Sequence, residues 1–135
     1  MQSSKRIIFI HFSHSQELND GRQFPIRRGF QLLIAMSPSS GNNEVIGVAV
    51  FEVEKGFQIT VHGLVVSENR RGSGIGSAMR RALYSIGRKA GAKTIVTDVA
   101  IGGTNFWHRA GFRYDGSYAR HPPLFHNVQR LIRNI

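Results

Sequence analysis

The sequence predicts a mixed α/β (α+β) fold with a mostly antiparallel sheet and one long helix. Residues 30–66 hold three apolar stretches separated by polar turns at 37–43 and 54–56, which is the pattern of an antiparallel meander. The third stretch runs directly into a glycine-rich turn, and that turn leads into a segment with helical periodicity. A Rossmann domain would alternate strands with helices from its start, so the meander argues against that fold.

Seven stretches have the composition of strands, and one has the periodicity of a helix. The helix is predicted over residues 74–90, because its apolar residues recur at helical spacing while Arg80 and Arg88 fall mainly on the other side. Residues 13–24 are polar enough to form one short helix or a loop. The predicted strands are Lys5–Phe12, Phe30–Met36, Glu44–Val53, Phe57–Val66, Thr94–Val99, Arg113–Ala119 and Phe125–Ile132.

Length and composition indicate one soluble domain over residues 1–135. The chain is 41% hydrophobic with a mean hydropathy of -0.20, and no apolar run approaches the roughly 18 residues that a membrane helix needs. The absence of cysteine excludes disulfides, thiolate metal sites and a cysteinyl acyl-enzyme. It is compatible with a reducing compartment, and we expect a cytoplasmic protein without a membrane partner.

The charge balance is strongly basic. Eighteen Lys and Arg residues, 14 of them Arg, face eight acidic residues, and the formal net charge is +10. Arginine suits phosphate groups, so this excess favours a phosphorylated cofactor together with RNA or an acidic partner. The alternative is a solvated basic surface, since no RNA-binding motif accompanies the charge.

The glycine-rich turn has the features of an anion cradle. Glycines permit close backbone approach, and the first N–H groups of the following helix have no intrahelical partner and lie at the positive end of its dipole. A P-loop would need lysine after Gly76, and none is present. A dinucleotide-binding fingerprint aligned on Gly72 and Gly74 has Ser77 at the position of its third glycine. A dinucleotide site therefore stays open as the weaker alternative. The third pattern, Arg/Gln-x-x-Gly-x-Gly/Ala, is met by Arg71, Gly74 and Gly76.

This third pattern resembles the acetyl-CoA loop of the GNAT superfamily of N-acyltransferases. A second segment, Asn105–Phe112, is similar to the family's Phe-Tyr-x-x-x-Gly-Phe segment, and one helix and one strand fit between the two. The resemblance extends over residues 45–112. It implies a single GNAT-like acetyltransferase domain whose sheet is splayed between strands four and five, with helices on both faces. It also implies direct transfer of an acetyl group from acetyl-CoA to a primary amine of a small molecule or protein.

The resemblance assigns the strand-four exit, the glycine turn and the Asn105 segment to coenzyme A. The strand-four backbone would pair with the pantetheine amides, and a bulge at Val65 or Val66 would expose an N–H group for the acetyl oxygen. The residues assigned to the cofactor are Leu64, Val65, Val66, Arg70, Arg71, Gly72, Ser73, Gly74, Ile75, Gly76, Ser77, Asn105 and Trp107.

The resemblance also implies a catalytic role for His62. It falls where arylalkylamine acetyltransferases carry a proton-relay histidine, whereas Thr60 falls where the histone-acetylating branch carries its glutamate base. A strand histidine without a catalytic role is the alternative. The chain departs from the family at Trp107, where many relatives have an acid tyrosine, and at Ala100, where many have an asparagine that contacts pantetheine.

Three further expectations complete the sequence-based hypothesis. No metal site is expected, because the histidines do not recur at ligand spacing. The alternative functions are toxin-like acetylation of aminoacyl-tRNA, suggested by the net charge, and a non-catalytic acyl-CoA-binding module, suggested by Trp107 and Ala100. A homodimer is left open.

Overall fold

The computed structural model of the chain describes residues 7–13, 29–39, 42–100, 103–116 and 128–135. Neither α-helix in these ranges is long and apolar enough to cross a membrane. The helices are α1 (Ile75–Lys89) and α2 (Asn105–Arg109), and a short 3-10 turn spans Glu68–Arg70. The strands are β1 (Ile8–Phe12), β2 (Phe30–Ser39), β3 (Asn42–Glu54), β4 (Gln58–Val66), β5 (Thr94–Ala100), β6 (Arg113–Tyr114) and β7 (Val128–Asn134).

The strands form one sheet in the order β1-β2-β3-β4-β5-β7-β6. Every neighbouring pair is antiparallel except β4 and β5, which are parallel and are connected through α1. The predicted fold class is therefore confirmed, and so is the meander of β2, β3 and β4. A parallel pair needs a crossover connection, and the amphipathic α1 supplies it while covering one face of the sheet.

The core lies between the sheet and α1. Met79 and Leu83 of the helix and Phe51, Ile59 and Val61 of the sheet are fully buried. Met79 and Leu83 belong to the apolar stripe that predicted the helix, and the observed ends of the helix lie within one residue of the predicted ones. Almost all of the stretch 13–24, where we expect a short helix or loop, lies outside the described residues.

Strand ends differ from the sequence prediction where cross-strand pairing decides them. The turn predicted over 37–43 is shorter, because β2 and β3 remain paired as far as Ser39 and Asn42. The last strand continues to Asn134, which pairs with Thr94 at the start of β5. Of the strand predicted over 113–119, only Arg113–Tyr114 pairs within the described residues, and 117–119 lie outside them.

A bulge in β4 coincides with the place where the sheet opens. Gly63 pairs with Val50 and Val61 pairs with Phe51, so His62 is the extra residue on β4. The parallel pairing of β4 with β5 ends at the same point, after Val61 and its partner Thr97. Because a bulge bends and twists its strand, it explains why β4 leaves β5 there.

Candidate functional site

The chain turns from β4 into α1 through two glycines with positive φ. Gly72 has φ +82 and Gly74 has φ +87, values that L side chains rarely adopt. A Cβ atom added at either glycine would meet no heavy atom within 4 Å, so both face open space. Gly74 is the N-cap of α1, the first helical turn has no acidic residue, and no side chain caps its N–H groups. These N–H groups are therefore available to an anion.

Two adjoining cavities form one continuous groove beside this turn. One, of about 340 Å³, lies over the glycine turn, and the other, of about 310 Å³, lies against the end of β4. They share Val66, Arg71, Gly76 and Phe106. The groove thus extends from the helix N-terminus to the part of β4 that has separated from β5. The remaining lining residues are Leu64, Val65, Arg70, Gly72, Gly74, Ile75, Ser77, Trp107 and Arg109.

The two arginines of the turn differ in their surroundings. The Arg70 guanidinium donates a hydrogen bond of 2.7 Å to Glu44 on β3, which ties the turn to the sheet and offsets part of its charge. Arg71 is exposed and lines both cavities of the groove. No acidic side chain of the described ranges forms an ion pair with it. Of the two arginines, Arg71 is therefore the one whose charge is available to a ligand in the groove.

Helix α2 forms the second wall of the groove. Trp107 is 6% exposed and makes edge contacts with Phe106 and Phe112, with ring centroids 5.0 Å and 4.9 Å apart. A Cβ atom at Gly76 would lie 3.2 Å from the Phe106 ring, so glycine at this position permits α1 and α2 to approach closely. The Trp107 indole is thus both a core side chain and part of the groove lining.

The structure brings together all of the predicted cofactor residues except two. Ser73 does not line the groove; its hydroxyl donates a hydrogen bond to the Arg70 carbonyl, and it lines another cavity of about 470 Å³ that shares Arg70 and Ile75 with the groove. Asn105 is exposed at the start of α2 and is not part of the groove lining. Sequence reasoning missed Phe106 and Arg109 as lining residues. Phe106 lies within the segment that resembles the family's Phe-Tyr-x-x-x-Gly-Phe motif, so the motif could have identified it. The sequence does not indicate that Arg109 faces the groove, because this depends on how α2 packs.

His62 lies at the bulge, on the sheet face away from α1. Its Nε2 atom is 3.1 Å from the Glu52 carboxylate, and its ring is stacked on Phe30 with centroids 4.6 Å apart. Phe51 and Val61 point into the core, so Glu52 and His62 point to the opposite face. The imidazole is thus oriented by a carboxylate and an aromatic ring, and it remains open to solvent.

The position of the bulge corrects one expectation. The resemblance implied a bulge at Val65 or Val66, but both residues are in regular register with β3, opposite Val48 and Gly47. The bulge at His62 lies earlier in the strand. Beyond it the backbone of Leu64 to Val66 pairs with β3 and no longer with β5. The unpaired edge of β4 therefore faces the groove without a second bulge.

Within the described part of the chain, no three His, Asp or Glu residues are grouped closely enough to hold a metal ion. The groove therefore consists of backbone N–H groups, arginine and aromatic rings, and His62 lies earlier on β4, outside the lining of the groove. Such a set suits a phosphorylated ligand with an elongated, partly apolar arm.

A family model described as the acetyltransferase (GNAT) family matches residues 11–112, which is more than half of the chain. No protein of curated function is similar enough to count as a match.

Solved structures with the same fold are numerous. An acetyltransferase of the GNAT family from Elizabethkingia anophelis, with acetyl-CoA bound, is 18% identical with a TM-score of 0.60, over 79% of this chain and 77% of that one. A Bacillus subtilis acetyltransferase in complex with CoA is 20% identical with a TM-score of 0.59, over 79% and 78%. Ard1 from Thermoplasma volcanium is 19% identical with a TM-score of 0.59, over 80% and 71%.

Proposed function

The chain belongs to the GNAT family of acetyltransferases, and from that premise we propose that it transfers the acetyl group of acetyl-CoA to a primary amine of a small molecule or a protein. The observation that carries the proposal is the groove. It joins the uncapped N-terminus of α1 to the unpaired edge of β4, where β4 and β5 have separated. This arrangement offers an anion site at one end and an extended backbone at the other.

The residues of the groove fit coenzyme A. Gly72 and Gly74 face open space, and the N–H groups of the first turn of α1 would hold the diphosphate together with Arg71. The backbone from Leu64 to Val66 would pair with the pantetheine amides as an added strand does. When bound, acetyl-CoA supplies a thioester from which the acetyl group is transferred directly. A backbone N–H of this segment would polarise its carbonyl.

His62 would take the proton of the acceptor amine, directly or through water. An alkylammonium ion has a pKa near 10, so the acceptor must lose a proton before it attacks. The Glu52 carboxylate, 3.1 Å from Nε2, would orient the ring. The acceptor would approach from the sheet face that carries this pair.

The leaving thiolate has no acid at the expected position. Trp107 is buried against Phe106 and Phe112, and an indole N–H does not protonate sulfur at neutral pH. A thiol with a pKa near 8.5 leaves readily as the thiolate, so direct transfer does not require this acid. The same observation supports the second candidate, an acyl-CoA-binding module without turnover.

Thiol release distinguishes these two candidates. The protein is incubated with acetyl-CoA and a panel of amines, and the acceptors, including cell protein and aminoacylated tRNA, are then analysed by mass spectrometry. We expect release of free CoA and a mass increase of one acetyl group on one acceptor class. Tight coenzyme binding without thiol release for any acceptor would support the binding module. Acetylated aminoacyl-tRNA would support the toxin-like alternative, which the net charge of +10 favours.

Several expectations stay predictions. These are the single domain over 1–135, the cytoplasmic location suggested by the cysteine-free composition, and the homodimer.

A further inference from the structure

A second cationic cluster lies outside the groove, around the Tyr84 ring on α1. The guanidinium carbons of Arg80, Arg88 and Arg133 lie 5.5, 5.8 and 4.8 Å from the ring centroid. Arg133 Nη1 donates a hydrogen bond of 2.7 Å to the Tyr84 hydroxyl, and Arg80 Nη1 donates one of 3.1 Å to the same oxygen. We call these four residues the arginine cluster. Tyr84 is 5% exposed, so its ring is a fixed support for three positive charges.

The charge of the arginine cluster is not balanced by the described part of the chain. The described ion pairs join Glu44 to Arg70, Glu52 to His62 and Asp98 to Arg130, and no carboxylate of the described ranges pairs with the cluster. The buried Nε atom of Arg80 has no hydrogen-bond partner. Three like charges and a buried donor without an acceptor are unfavourable by themselves. An oxyanion bound among the guanidiniums would offset the repulsion between the like charges.

The arginine cluster begins beside the groove, where the Arg80 guanidinium carbon lies 5.8 Å from the centroid of the Phe106 ring, and it extends along α1 away from the diphosphate end. Tyr84 follows Gly76 by eight residues and Arg88 follows it by twelve, which correspond to about 12 Å and about 18 Å along the helix axis. The 3′-phosphate of coenzyme A is only one ribose away from the diphosphate. The end of the cluster at Tyr84 and Arg88 is therefore beyond the reach of the diphosphate and is available to a separate phosphate group.

We propose that the arginine cluster is a second oxyanion site and that it binds backbone phosphates of RNA. Three features favour RNA over a free anion. The net charge is +10, most of it from arginine, whose planar fork suits phosphate oxygens. Arg88 is exposed at the rim, so the site is open to a long polymer. Tyr114 of β6 is opposite Leu131 of β7, and Leu131 lies on the same face of β7 as Arg133. The Tyr114 side chain is 55% exposed, so its ring is available for a base to stack on.

The test measures RNA binding without acetyl-CoA, so it is independent of the proposed acetyl transfer. Labelled bulk tRNA without amino acid is titrated by fluorescence anisotropy over a series of salt concentrations. The test variant is Arg88→Gln with Arg133→Gln. The matched control is Arg81→Gln with Lys89→Gln, which removes the same charge from exposed positions of α1 outside the cluster. Arg88→Gln alone is measured as well, because Arg88 is exposed and its loss should leave the fold intact.

We expect the test variant to bind tRNA at least about 10-fold more weakly than the control variant. The slope of log affinity against log salt should fall by about 1 for each phosphate contact that is lost. Arg88→Gln alone should lower this slope by about 1. Equal affinities and slopes for the test and control variants would overturn the proposal, because binding would then depend on overall charge. The same conclusion would follow if the unmodified protein did not bind tRNA.

Two competitors separate RNA from other anion sources. Polyglutamate should displace tRNA poorly, and displacement as effective as that by unlabelled tRNA would make an acidic protein the partner and refute the RNA assignment. Calorimetry with coenzyme A and with its form lacking the 3′-phosphate should give the same affinity ratio for the test variant and the unmodified protein. If the two ligands bound the test variant equally well while the unmodified protein preferred coenzyme A, the arginine cluster would belong to the cofactor site instead.

Discussion

Replacing Gly74 by aspartate and by asparagine tests whether the glycine turn holds an anion. Gly74 has φ +87, and an L residue in a left-handed conformation costs about 1–2 kcal/mol. Asn and Asp tolerate this region best, and relative to glycine a side-chain N-cap returns only roughly a few tenths of a kcal/mol at the start of α1. An added Cβ meets no heavy atom within 4 Å, so no clash is expected. Both variants should therefore lower the unfolding temperature by similar amounts, up to roughly 8 °C, and remain folded at 25 °C.

The two variants should differ in coenzyme binding, because only one of them introduces a charge. Two like charges about 5 Å apart repel by roughly 3 kcal/mol at an effective dielectric constant of about 20. This corresponds to a loss of about 100-fold in affinity. We expect isothermal titration calorimetry to give a dissociation constant for coenzyme A about 100-fold higher for Gly74→Asp than for Gly74→Asn. The asparagine side chain has the same shape and is the control for steric effects.

Salt supplies an internal check on this interpretation. Raising the ionic strength from about 0.1 M to about 1 M shortens the Debye length from about 10 Å to about 3 Å, so the difference between the two variants should shrink. Equal affinities of two folded variants at low salt would refute the reasoning, since no anion could then lie at the turn.

Three other substitutions test the remaining parts of the site and the core. His62→Gln should lower turnover of an alkylamine acceptor by about 100-fold near neutral pH and by less near pH 10, where the amine is itself largely neutral; an equal loss across this range in a pH-rate profile would contradict a proton relay. Arg71→Gln should weaken coenzyme A binding by about 10-fold or more in calorimetry, and more than Arg70→Gln does, because Arg70 is paired with Glu44. The reverse order would show that Arg70 carries the phosphate contact. Leu83→Ala should lower the free energy of unfolding by about 2–5 kcal/mol in urea titrations, since Leu83 is fully buried, and a loss below 1 kcal/mol would mean that the core collapses around the deleted atoms.

Local pattern was sufficient for the elements that form the site. The apolar stripe of α1 and the glycines before it are neighbours in sequence, so their periodicity and spacing specify the helix, its start and the turn. The meander followed from three apolar stretches and two turns for the same reason. Strand ends were less predictable. Asn134 is polar and lies beyond the predicted strand, but it pairs with Thr94, and that contact joins residues far apart in the chain.

The bulge illustrates what alternation in a strand cannot predict. In β4 the buried side chains before the bulge are Ile59 and Val61, and beyond it Leu64 and Val66 pack against the core while Val65 is 62% exposed. One extra residue shifts every later side chain to the other face. Nothing in this apolar run marks His62 as the extra residue, because the irregularity is defined by the partner strand.

The arginines show the same division between local pattern and tertiary packing. Helical periodicity put Arg80 on the charged side of α1, yet its Nε atom is buried beside Tyr84 and near Arg133 of β7. The order of residues alone thus determined the helix α1, the meander, the glycine turn and the family, because each depends on near neighbours. The position of the bulge at His62 and the arginine cluster were decided only by tertiary structure, because each joins residues that are distant in the chain.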